Sequence, residues 1–136
     1  AVHPNSGVCF IENGYRDSIH HVQNYSAVTG ACLMIKKELF DKLGGLDEKL
    51  AVAYNDVDFC LRLRRSGLLN VYVPQALLFH YESKSRGYDD KGERHERFLR
   101  ESQLFRDRWQ NIIDDGDPYY NVNLSKEVPW KPEIKL

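Results

Sequence analysis

Between Tyr54 and Arg65 the chain reads Tyr-Asn-Asp-Val-Asp-Phe-Cys-Leu-Arg-Leu-Arg-Arg, a stretch whose apolar spacing leaves little choice of structure. If Asn55 caps a helix and each residue advances by about 100°, then Val57, Phe59, Cys60, Leu61 and Leu63 form one broad apolar arc. Asp56 falls inside that arc, where packing does not favour a carboxylate. Asp58, Arg62 and Arg65 fall on the opposite side, and Asp58 with Arg62 has the i,i+4 spacing of an ordinary surface ion pair. The two acids are therefore expected to do different work, and Asp56 is the lead to chemistry.

Around this helix, elements alternate. Ser6 to Ile11 reads as a strand ended by the turn signal Asn13-Gly14, and Tyr15 to Ser26 as a polar surface loop. Ala27 to Ile35 is expected to form a buried strand with Gly30 inside it, where backbone or ligand can approach closely. Lys36 to Leu43 has helical spacing, with Gly44 placed to close the helix in the left-handed conformation and Gly45 allowing a second unusual turn. Asn70 to Pro74 and Ala76 to His80 read as strands. Phe98, Ser102, Phe105, Trp109 and Ile112 mark an amphipathic helix within the charged stretch from Asp90 onward, its interleaved acids and arginines reading as a solvated face. The periodicity fails beyond Asp117-Pro118, so residues 116–136 are expected to be an extended tail to a domain spanning 1–115. The fold class is α/β, a mixed sheet with flanking helices.

The 136 residues carry a formal net charge of −1 with acids and bases intermixed, which argues against duplex nucleic acid as a partner. No apolar run approaches the roughly 20 residues that cross a bilayer. Cys9, Cys32 and Cys60 have no zinc-site spacing; Cys32 and Cys60 read as small buried hydrophobes in a reducing compartment.

Four blocks then become recognisable in order: Val28-Thr29-Gly30-Ala31-Cys32-Leu33-Met34-Ile35, Gly44-Gly45-Leu46-Asp47-Glu48, Asn55-Asp56-Val57-Asp58-Phe59-Cys60-Leu61-Arg62-Leu63, and Val73-Pro74 through His80 to Gly87. Together they resemble the C-terminal half of family 2 glycosyltransferases of the GT-A fold, especially bacterial enzymes that build surface polysaccharides. Asp117-Pro118-Tyr119-Tyr120-Asn121 is similar to a segment downstream in some members.

The resemblance implies an inverting transfer of a sugar from a nucleotide-sugar donor to a saccharide acceptor hydroxyl, with Asp56 as general base. Members usually carry an acid immediately before this aspartate; here the position is Asn55. Gly30, Gly44 and Gly45 would line the sugar site, Asp47 would accept from sugar hydroxyls, His80 would ligate a divalent cation (Mg or Mn), and Lys84, Ser85 and Arg86 would meet phosphate oxygens. For Gly44 and Gly45 a helix cap and turn, for Gly30 strand packing, for Asp56 and Asp47 capping, and for His80 a partly exposed polar role are the alternatives. Neither the nucleotide-binding half nor a D-x-D motif precedes the first block. The chain therefore reads as part of a larger, cytoplasmic enzyme, with membrane association of that parent left open, and as inactive alone. The alternative is a non-catalytic carbohydrate- or protein-binding module on the same scaffold. Under either reading, exposed apolar surface would favour self-association.

Overall fold

The computed structural model describes residues 14–78, 92–125 and 127–133. The first strand (Ser6 to Ile11), His80, Lys84, Ser85 and Arg86 lie outside the described residues. A 3-10 turn at Tyr15–His20 leads into strand β1 (Gln23–Tyr25), a 3-10 turn at Gly30–Cys32, helix α1 (Lys37–Lys42), a 3-10 turn at Glu48–Leu50, helix α2 (Asn55–Arg65), strand β2 (Asn70–Tyr72) and helix α3 (Gly92–Asp115). The mixed sheet expected from the alternation is, among the described residues, a two-stranded antiparallel ribbon, with Gln23 opposite Tyr72 and Tyr25 opposite Asn70.

Packing follows the apolar stripes of two helices. From α3, Phe105 and Trp109 meet Leu61 of α2 and Leu50, with Tyr54, Val57, Leu104 and Ile112 around them. The 98–112 spacing thus marked a real stripe. On the other flank of α2, Phe59 is buried and its ring lies 5.3 Å from that of Phe40 on α1.

Three expectations are corrected. The stretch from Ala27 to Ile35 is not a buried strand: it passes through the Gly30–Cys32 turn, Cys32 is exposed, and Met34 is 99% exposed. Only its first part lies against α2, and Cys32 and Met34 find no covering layer among the described residues, so hydrophobicity alone misplaced it. The polar loop predicted over 15–26 contains β1, whose side chains are only half-buried and so leave no apolar alternation to read. The described residues of the 116–136 segment fold back rather than run extended: Leu124 bridges Pro132, Tyr120 Oη donates to the Ser125 carbonyl at 2.6 Å, and Trp130 stacks on Tyr15 with centroids 4.8 Å apart. Aromatic contacts far apart in sequence, not periodicity, fold it back.

The close of α1 matches its sequence signal. Gly44 and Gly45 both have positive φ, 76° and 66°, and their amides bond to the Asp41 and Phe40 carbonyls. A Cβ on Gly44 would meet nothing within 4 Å, whereas one on Gly45 would lie 3.0 Å from the Phe40 ring. Gly44→Ala is therefore expected to cost about 1–2 kcal/mol of backbone strain, and Gly45→Ala distinctly more because the ring must also move. Urea melts of the two variants compare them; equal losses would remove the steric account.

Candidate active site

Helix α2 enters through a strained turn. Tyr54, at φ 62° and ψ 8°, is left-handed, a conformation that costs a non-glycine residue about 1–2 kcal/mol. Helix α3 holds it there. The Tyr54 ring stacks on Phe105 at 4.8 Å, and the carboxylate of Glu101, only 4% exposed, accepts from the Ala53 amide at 2.6 Å and the Val52 amide at 3.3 Å. The helix starts at Asn55, the residue expected to cap it, and the Asn55 side chain accepts from the Asp56 amide at 2.7 Å.

That entry presents Asp56 in a defined way. Its Oδ1 accepts from the Val57 amide at 2.8 Å, and its Oδ2 from the Gly30 amide at 2.8 Å. The orphan amides of a first helical turn account for the first bond, and close approach of Gly30 for the second. Each carboxylate oxygen retains a lone pair for another donor. Gly30 and Asp56, 26 residues apart, are thereby joined.

The segment leading to Gly30 runs antiparallel along α2. Arg64 Nη1 donates to Ser26 Oγ at 2.7 Å, Cys60 Sγ to the Val28 carbonyl at 3.8 Å, and Gly30 N to Asp56. Two residues of extended chain advance about 6.6 Å and four helical residues about 6 Å, so the rungs stay in step. Burial pushes the Cys60 thiol up, consistent with an inert packed residue. A Cβ on Gly30 would come within 3.2 Å of the Asp56 Cβ. Gly30→Ala is expected to displace the Asp56 carboxylate, read as shifts of the Asp56 and Val57 amides by NMR, while moving the melting temperature little; unmoved amides would show that the neighbouring side chain absorbs the methyl.

Asp58 corrects the reading of the polar face. It is 0% exposed, and its ion pair with Arg62 (Nε to Oδ2, 2.8 Å) is interior rather than a surface pair. Asp58 Oδ1 also accepts from Arg108 Nη1 at 2.7 Å and Trp109 Nε1 at 2.8 Å. Helix α3 covers the seam of α2 where Leu61 of the apolar arc adjoins Asp58 of the side taken as solvent-facing. Arg62 continues to the Leu43 and Gly45 carbonyls, both at 2.6 Å, and Arg108 Nη2 reaches Asp47 Oδ2 at 2.6 Å. The Gly44–Gly45–Asp47 bend is thus tied to both helices through one buried carboxylate, while Gly30, Asn55 and Asp56 form a separate cluster at the start of α2.

Glu101, Arg108 and Trp109 carry this arrangement, and the sequence reading gave the two charged ones to a solvated face. A signal existed: Glu101 lies four residues before Phe105 and seven before Arg108, on the buried stripe.

Asp47 has both oxygens engaged, Oδ1 by the Lys49 amide at 2.9 Å and Oδ2 by Arg108. The Lys49 amide and the Arg108 guanidinium hold its carboxyl below the ordinary 3.8. Because the folded form is the stronger acid, Asp47 stabilises the fold above its unfolded value of about 3.9, and that contribution fades as pH falls through the lower folded value. Asp47→Asn is expected to flatten the acid limb of stability against pH; an unchanged limb would show that the bonds contribute nothing net.

Among the described residues no group of three or more His, Cys, Asp or Glu side chains is placed to hold a metal ion, and no helix is long and apolar enough to cross a membrane. Asp56 and Asp58 are not placed as a cation-binding pair: Asp58 is buried and three of its four acceptor sites are taken by two arginines and a tryptophan.

Comparison with known proteins assigns the lineage. No family profile and no solved structure matches the chain. It is 50% identical over 115 residues to the uncharacterized protein y4gI of Sinorhizobium fredii, covering 84% of this chain and 12% of that one. It is 38% identical over 110 residues to the O-antigen biosynthesis protein RfbC of Myxococcus xanthus, covering 76% and 8%. Over 62 residues it is 39% identical to the N-acetylglucosaminyl-diphospho-decaprenol L-rhamnosyltransferase of Mycobacterium tuberculosis, covering 46% and 20%. The chain is a homologue of glycosyltransferases. The resemblance to family 2 enzymes read from the four blocks is borne out by these relatives. This glycosyltransferase homologue spans about a tenth of the length of the first two.

Proposed function

We propose that this chain is the acceptor-side part of an inverting glycosyltransferase of surface-polysaccharide synthesis, on the C-terminal half of a GT-A fold, with Asp56 as the general base. The supporting observation is the Asp56 carboxylate, fixed at the start of α2 by the Gly30 and Val57 amides with a lone pair left on each oxygen. Relatives named for O-antigen synthesis and rhamnosyl transfer supply the reaction class.

In this reading an acceptor hydroxyl donates to Asp56 and its oxygen attacks the anomeric carbon of a nucleotide-sugar. A carbon–oxygen bond forms on one face as the bond to the nucleoside diphosphate breaks on the other, and the proton passes to Asp56. Gly30, Gly44 and Gly45 let backbone approach the sugar; Asp47, tied to Arg108, shapes the neighbouring bend. A divalent cation and contacts to the diphosphate would come from the rest of the parent together with His80, Lys84, Ser85 and Arg86, and no step here runs through them. The chain alone is accordingly expected to turn nothing over. The test is nucleotide-sugar turnover by the full-length parent with Asp56→Asn beside it. Undiminished turnover in the variant would overturn the base assignment, and a parent without turnover on any nucleotide-sugar would favour a binding module.

A further inference from the structure

A cleft of about 320 Å³ lies apart from Asp56, between residues 15–23 and the returning segment 119–130. Its size falls at the lower end of ordinary ligand pockets, about 300–1,000 Å³. Tyr15, Arg16, Ser18, His21, Tyr119 and Asn121 line it. Three features set this cleft apart. Among the described residues, Ser18 Oγ is buried without a hydrogen-bond partner. Arg16 forms no ion pair among the described residues and rests 5.9 Å over the Tyr15 ring. Of four described non-glycine residues with positive φ, Tyr54 introduces the Asp56 helix; of the other three, Arg16 and Trp130 line this cleft and Asp17 falls in sequence between its lining residues Arg16 and Ser18. Such strain persists where surrounding contacts enforce it, and it concentrates at functional sites. Asp17, between His20 at 2.6 Å and His21 at 3.0 Å, and the Tyr15–Trp130 stack enforce it here.

We propose that this cleft is a saccharide subsite holding the part of a glycan remote from the reacting hydroxyl, with Ser18 Oγ, Arg16 and Asn121 as its polar contacts. A saccharide presents hydroxyls that both donate and accept, and apolar C–H surfaces between them; the walls pair a hydroxyl, an amide and a guanidinium with aromatic rings. A diphosphate fits less well, because Arg16 is the one lining cation without a carboxylate, His21 being held by Asp17. A lipid chain would strand the buried Ser18 hydroxyl and the Asn121 amide in hydrocarbon.

The position suits a long acceptor. Arg64 sits 5.4 Å over the Tyr119 ring on the cleft wall, and it follows Asp56 by eight helical residues, about 12 Å along the axis of α2. A glycan whose terminal hydroxyl meets Asp56 would reach the cleft with its preceding sugars. That assignment of the glycan as acceptor rests on the proposed glycosyl transfer; binding itself does not.

The test is amide NMR titration of this chain with tetrasaccharides of N-acetylglucosamine, mannose and galacturonic acid. Saturable shifts confined to residues 15–23 and 119–130 are expected with at least one. Ser18→Ala and Arg16→Gln should each weaken that binding about fivefold. Because neither side chain forms a hydrogen bond or ion pair among the described residues, the melting temperature should move little, which separates lost binding from lost folding. No saturable shift with any probe, or shifts that both variants leave unchanged, would overturn the subsite. If Asp56→Asn retains full turnover in the parent while the cleft variants still weaken binding, the base assignment fails and the subsite stands; the reverse pattern removes the subsite alone.

Discussion

Asp58→Ala is expected to lower the unfolding free energy by about 3–5 kcal/mol, because it removes the shared acceptor of Arg62 Nε, Arg108 Nη1 and Trp109 Nε1 and leaves Arg62 with only the Leu43 and Gly45 carbonyls and Arg108 with only Asp47. Asp58 is fully buried, and Arg62, Arg108 and Trp109 all converge on it at 2.7–2.8 Å. For a chain of this size that loss corresponds to a fall of roughly 10–15 °C in melting temperature. Urea denaturation followed by circular dichroism measures it, and a loss below about 1 kcal/mol would return Asp58–Arg62 to the class of exposed ion pairs. Replacing the acid and one partner together by apolar residues, Asp58→Leu with Arg108→Met, should cost less than Asp58→Ala alone, since the penalty lies mainly in the stranded charge. The double variant also frees Asp47 from Arg108, so any remaining deficit reports on the Gly45–Asp47 bend.

From the general-base role proposed for Asp56 it follows that Asp56→Asn in the full-length parent should lower kcat by about 100- to 10,000-fold, the range that a positioned general base supplies. The amide keeps the shape of the carboxylate and one acceptor oxygen, so stability should change by about 1 kcal/mol or less. KM for the acceptor should move little. A fall in kcat/KM carried wholly by KM would make Asp56 an acceptor-binding group. The Asp56 and Asp58 variants thus separate two acids two residues apart: one expected to affect turnover with the fold intact, the other the fold itself.

Much of the local structure was legible. The apolar arc of α2, the glycine close of α1 and the stripe of α3 are short-range patterns, each set by residues within a few turns of one another. The apolar stretch 27–35 was misread because a hydrophobic run resembles a buried strand whether or not a layer covers it, and here Met34 and Cys32 face out. β1 was missed for the converse reason, its residues Gln-Asn-Tyr offering no alternation. In the candidate site, Asp56 and Gly30 were each singled out from sequence, yet the bond between them spans 26 residues. The cleft lined by residues 15–23 and 119–130 left no trace in local periodicity, since it exists only where distant segments meet.

By itself the sequence determined where α1, α2 and α3 form and that Asp56 lies within the apolar arc of α2, because backbone geometry and side-chain period act over a few residues. Only the tertiary structure decided which face of α2 α3 would cover. That choice turned Asp58 from a surface ion-pair partner into the buried junction of Arg62, Arg108 and Trp109. The physical reason is that a carboxylate is as compatible with solvent as with a fully paired interior, and the partners that make the interior acceptable arrive from 50 residues away.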